Sequence, residues 1–149
     1  MSDLYDEDIM HWSEHQAALL RRRAAGEIVN DKELDWPNIA EEIEDVGKSL
    51  LHSVQSHLVL AILRDLKAEA WPRSRDVSHW RAEARIHRRD ARRRFSPGMR
   101  QYINIAELYA DAMAGLPDDM DGLVPLPVPP DCPVTLDEIL APPPDEPAA

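Results

Sequence analysis

Three groups of residues have types and spacings that could do chemistry. His11 and His15 stand four apart, with Glu7 and Asp8 one turn before His11. On a helix that spacing puts both imidazoles on one face, where they could ligate zinc or another transition metal and serve a metal-dependent hydrolase. The glutamate that follows the first histidine in HExxH sites is missing. The flanking sequence is acidic and polar, so a solvated histidine pair is the plainer reading, and neither residue is assigned as a metal ligand.

The second group is Glu41, Glu42 and Glu44 with Asp45. Carboxylates on paired helices hold di-iron centres, but those sites also need Glu-x-x-His on partner helices, and no such pair occurs. Acids in the first turns of a helix are favoured by its dipole without any ligand. Cys132, the single cysteine, lies between Asp131 and Pro133 with no base beside it in sequence, so it reads as structural. No residue is assigned a catalytic or cofactor-binding role.

The third group is the most suggestive of function. Ten arginines fall between Arg73 and Arg100 against three acids, Asp76, Glu83 and Asp90. Every base there is arginine, whose planar fork suits bidentate pairing with carboxylate or phosphate. Arg81, Arg85, Arg88 and Arg92 either face acidic surface of the same protein, with Glu41, Glu42 and Glu44 or an acidic tail as counterparts, or contact nucleic-acid phosphates. The net charge of −11 opposes the second reading. No nucleic-acid-binding motif accompanies the arginines.

The elements that must position these residues are helical. Asp35 ahead of Trp36-Pro37 is a helix start. From there Ile39, Ile43, Val46, Leu50, Val54, Leu58 and Ala61 recur at spacings of three and four, one stripe on a helix that ends at Trp71-Pro72. The run Leu58 to Leu63 is apolar all round and predicts a surrounded segment, with the earlier half only half covered. A straight helix from Trp36 to Glu69 is about 50 Å long, against a diameter of about 38 Å for a compact domain of this length. The expectation is that it bends, with Gly47 the natural place, or projects and covers apolar surface against a second subunit.

Before it, a helix starts around Asp6 to Asp8 and runs to about Ala25, with Ile9, Trp12, Gln16, Leu19 and Leu20 inward and Gly26 as the stop. After it, a third helix capped by Asp76 or Ser78 runs to about Phe95 on a thin stripe of Trp80, Ala84, His87, Ala91 and Phe95. Ser96-Pro97 then predicts a fourth helix with Tyr102, Ile103, Ala106, Tyr109, Ala110 and Met113 inward. Ten of the 13 prolines lie from Pro117 onward, which excludes a bundle helix there. A capping box at Thr135 to Glu138 opens a short turn through Leu140, and the terminal PPPDEPAA reads as loose.

The expected fold is therefore all-α: a bundle of about four helices over residues 1–116, with an elongated second helix, and a proline-rich strap over 117–149 carrying a short helical turn near 136–140. One cysteine excludes an internal disulfide and favours a reducing, cytoplasmic setting. The start is acidic where a signal peptide is basic, and no apolar run reaches the length of a membrane span. Charge is segregated: residues 1–50 carry −8, 51–100 carry +7 and 101–149 carry −10. Such an arrangement can neutralise itself within or between subunits.

Residues spread along the chain also resemble a bacterial family, domain-of-unknown-function family number 29. They are Tyr5-Asp6-x-Asp8 with Trp12; Leu34-Asp35-Trp36; Ile39-Ala40-Glu41-Glu42-Ile43-Glu44 with Gly47-Lys48; Arg73 to Trp80; and Cys132-Pro133 followed by Thr135-Leu136. The chain departs from the family pattern in the second half of the long helix, where LVLAILRDLK replaces a leucine-histidine-leucine-leucine-lysine run. The resemblance implies a small all-helical intracellular bacterial protein and brings no activity, substrate or cofactor. The functional expectation is a protein-interaction module that self-associates, as a homodimer or other homo-oligomer, or that binds another protein. A nucleic-acid-binding protein and a hydrolase using His11 and His15 are the alternatives.

Overall fold

The computed structural model of the chain describes residues 4–144; the stretch from Asp145 onward, part of the segment read as loose, lies outside them. Helices follow in the order α1 (Leu4–Glu7), α2 (Ile9–Ala24), α3 (Trp36–Ala70), α4 (Val77–Arg94), α5 (Ile105–Ala114) and α6 (Leu136–Leu140), with 3-10 turns at Asp31–Glu33 and Pro97–Tyr102. No strand occurs among the described residues; Met120 and Leu123 make an isolated bridge. The fold is all-α. α3 is helical throughout, Gly47 included. The chain forms two compact units, one to Lys48 and one from Ser49.

In the first unit, Asp8 caps α2 by accepting from the His11 amide, and Gly26 ends the turn beyond it at a φ of 87°, which favours glycine. Trp12, Leu19, Leu34 and Ile39 form its core, with the Tyr5 ring edge-on to Trp12 at 4.9 Å. Gln16 is buried and needs polar partners: its Nε2 donates to the Glu33 carbonyl, and the Asp35 amide donates to its Oε1. Trp12 Nε1 and Asn38 Nδ2 both donate to Asp35 Oδ2. The Asn38 bond above all, helped by Trp12, holds the Asp35 carboxyl below its ordinary range against the opposing effect of burial. The start of α3 is thus fixed by side chains of α2 and by its own first turn.

In the second unit, Val54 and Leu58 of α3 are fully enclosed, and Ile62 and Leu66 continue the same face. They pack with Ala91 of α4, Met99 and Ile103, Leu108, Tyr109 and Ala112 of α5, and Ile139 and Leu140 of α6. A smaller cluster joins Ala68, Ala70 and Trp71 to Trp80. Gly115 gives α5 close passage over α3, since a Cβ there would sit 3.2 Å from Leu63 Cδ2. The proline-rich segment lies on the bundle through hydrogen bonds: Trp71 Nε1 donates to the Leu123 carbonyl, the Leu126 amide to the Ala70 carbonyl, and the Tyr109 hydroxyl to the Pro129 carbonyl.

One element differs from its sequence expectation. Ser96 makes no side-chain cap, and Pro97–Tyr102 is a 3-10 turn that ends at extended Ile103. The helix begins instead at Asn104, whose side chain accepts from the Ala106 and Glu107 amides. The inward face turns accordingly. Leu108, Tyr109 and Ala112 are buried, whereas Tyr102, Ala106 and Ala110 are exposed.

Candidate interaction surface

α4 buries Trp80, Ala84 and Ala91 and leaves His87 and Phe95 half-buried, the stripe expected from the sequence. Its arginines therefore leave the helix on its flanks and outer side. Two of them converge on one acid of α3: Arg81 Nη1 lies 2.9 Å from Asp65 Oδ1, and Arg88 Nη1 bonds Asp65 Oδ2. Positions 81 and 88 are two helical turns apart, so a single carboxylate between them ties two turns of α4 to α3. Arg64 pairs with Glu83 at 2.5 Å, and His79 Nε2 reaches the other Glu83 oxygen at 3.0 Å. The Arg64 contact lies outside hydrogen-bond geometry, and its Nε makes no hydrogen bond to any described residue.

Next to the Asp65 tie, with Arg88 shared between the two, α4 and α6 border a groove of about 690 Å³. Arg85, Arg88, Arg89 and Arg92 line it around apolar surface from Ile86 and Ile139. Ile86 is 48 % exposed, a large aliphatic side chain offered to solvent between guanidinium groups. Glu138 is the acid in that lining. Its Oε1 accepts from the Thr135 amide and hydroxyl, the capping box that starts α6, so it is engaged locally. Arg100, beyond α4, pairs with Asp137 on α6 at 2.7 Å.

The other residues singled out from sequence fall as follows. In the first unit, Glu42 accepts from the Tyr5 hydroxyl, and this bond, more than burial, pushes the Tyr5 phenol up to about 12. Glu44 lies 3.6 Å from Lys48, and Glu41 is exposed. His11 and His15 are exposed on α2. No group of three His, Cys, Asp or Glu positioned to hold a metal ion occurs among the described residues. Cys132 is half-buried, with its thiol toward the Val134 carbonyl.

Sequence reasoning did not single out Asp65 or the contact between His57 and His87. The two imidazoles, from α3 and α4, meet with Nδ1 atoms 3.0 Å apart. Asp65 had a signal, being the acid inside the largely apolar LVLAILRDLK run.

The described residues are all-α and carry an arginine-lined groove between α4 and α6. No helix among those residues is long and apolar enough to cross a membrane. The chain belongs to the family described as domain of unknown function DUF29, whose match spans residues 4–143, nearly its whole length. No curated protein and no solved structure matches it.

Proposed function

We propose that this protein is an interaction module that receives a short acidic segment of a partner protein, carrying aliphatic side chains, in the groove between α4 and α6, and that it also self-associates. The observation that supports this reading is the combination of Arg85, Arg88, Arg89 and Arg92 with Ile86 and Ile139 in one concave surface. Arginine forks bind carboxylates bidentately, and the aliphatic surface supplies burial that charge alone does not. A short segment needs only the groove. A nucleic acid extending well beyond a screening length of about 8 Å would meet the acidic remainder of a chain whose net charge is −11. The single cysteine favours a cytoplasmic setting.

The test is a fluorescence-anisotropy titration of the full chain with a labelled peptide of alternating Glu and Leu, beside a neutral peptide and a single-stranded oligonucleotide. The acidic peptide binds and the neutral one does not. Replacing Arg85 and Arg89 together by Ala weakens binding about tenfold, the loss of roughly 1.4 kcal/mol. Preference for the oligonucleotide, with a steep salt dependence, would sink the peptide reading in favour of nucleic acid.

A further inference from the structure

The groove between α4 and α6 carries more positive charge than its own walls answer. Arg85, Arg88, Arg89 and Arg92 stand three and four apart on α4, spacings at which like charges on a helix repel. Arg88 is committed to Asp65, and Glu138, the acid of the lining, to the capping box of α6. Arg85 and Arg89 are exposed. Arg89 reaches Asp90 only at 3.9 Å, and Arg85 makes no ion pair with any described residue.

The chain itself carries negative charge close by. Leu140 is buried in the core, Ala141 leaves it with extended backbone, and Ala141 and Pro143 both line the groove. Asp145 and Glu146, beyond the described residues, follow two and three positions after Pro143. Consecutive Cα atoms are about 3.8 Å apart, so covalent geometry alone keeps the Asp145 Cα within about 8 Å of that of Pro143, and the Glu146 Cα within about 11 Å. The arginine ladder from 85 to 92 rises about 10 Å along α4, a span of the same order.

We infer that Asp145 and Glu146 occupy this groove in the free protein, paired with Arg85 and Arg89, and are displaced when an acidic partner segment binds. The inference rests on the partner-segment reading and supplies its regulation, an internal competitor. So short a tether gives the two acids an effective concentration in the millimolar range, enough for a weak contact to fill the groove. Asp-Glu-Pro brings charge without an aliphatic side chain for Ile86 and Ile139, so a partner segment that has both displaces it.

The test compares the full chain with Asp145→Asn/Glu146→Gln and with a charge-matched control, Glu107→Gln/Asp111→Asn, whose positions on α5 border a different surface. Without peptide, the arginine Nε–H NMR signals, assigned through Arg85→Ala and Arg89→Ala, shift in the tail variant and stay in place in the control. With the labelled peptide of alternating Glu and Leu, the tail variant binds about three- to tenfold more tightly than wild type, a factor set by the fraction of chains whose groove is open, and the control binds within about twofold of wild type. Adding Arg85→Ala and Arg89→Ala abolishes the gain. Unmoved arginine signals or an unchanged peptide affinity in the tail variant would overturn the internal competitor, while arginine-dependent peptide binding would leave the partner reading standing. Shifted signals in a chain that binds no peptide would sink the partner reading and leave the internal contact.

Discussion

At the contact between His57 and His87, two imidazole nitrogens 3.0 Å apart need one proton between them, one ring donating and the other accepting. Burial is the main influence depressing the His87 pKa, with His57 and Arg64 acting in the same direction against Glu83 and Asp90. The unfolded chain therefore takes up a proton at this site at higher pH than the folded chain does. The associated stability is complete above the ordinary histidine value of about 6.5 and is lost as pH falls from there through the folded pKa. The melting temperature should be lower at pH 5.5 than at pH 7.5, and His87→Gln should reduce that difference. An unchanged difference in the variant would place the sensitivity elsewhere. The sequence puts His87 on the inward stripe of α4, but nothing in it sets that ring against His57. The two are 30 positions apart, and their meeting depends on the rotational phase of two helices.

Among the helices, local signals were legible and pairings were not. The start of α3 after Asp35, the thin buried stripe of α4 and the capping box at Thr135 each depend on a few adjacent residues, so the sequence contains them entire. The fourth helix shows how such a signal misleads. Ser96-Pro97 has the right types for a start, but Gly98 follows within the turn and Asn104 offers a stronger cap, so the chain makes a 3-10 turn and starts again. Asn104→Ala should cost about 1 kcal/mol, a fall of about 2–4 °C in melting temperature, whereas Ser96→Ala should leave it unchanged. The reverse pattern in thermal melts would return the helix start to Ser96. The arginines of the candidate surface were legible by type and spacing. Their tie to Asp65, and the groove itself, were not, because both require knowing which faces of α3, α4 and α6 oppose one another.

Taken whole, the chain beyond Pro117 gives the second unit part of its core. Proline-rich backbone has few amides to donate but keeps its carbonyls, and the bundle supplies donors for them from Trp71 and Tyr109. α6 then inserts Ile139 and Leu140 beside Ile62 and Leu66. Full burial of two such side chains is worth about 1.5–3 kcal/mol each, a large part of the margin by which domains of this size are stable. Division of the chain into a self-sufficient bundle over 1–116 and an accessory strap is therefore a proposal that a truncation can decide. Ile139→Ala should cost about 2–4 kcal/mol and shift a urea midpoint accordingly. A chain ending at Leu116, with the faces of Trp71, Tyr109 and Leu66 uncovered, should lose its cooperative transition and aggregate. A truncated chain that melts cooperatively at the full-length temperature would make the strap an appendage after all, and the arginine groove, which takes one wall from α6, would then be a feature of the strap's docked state alone.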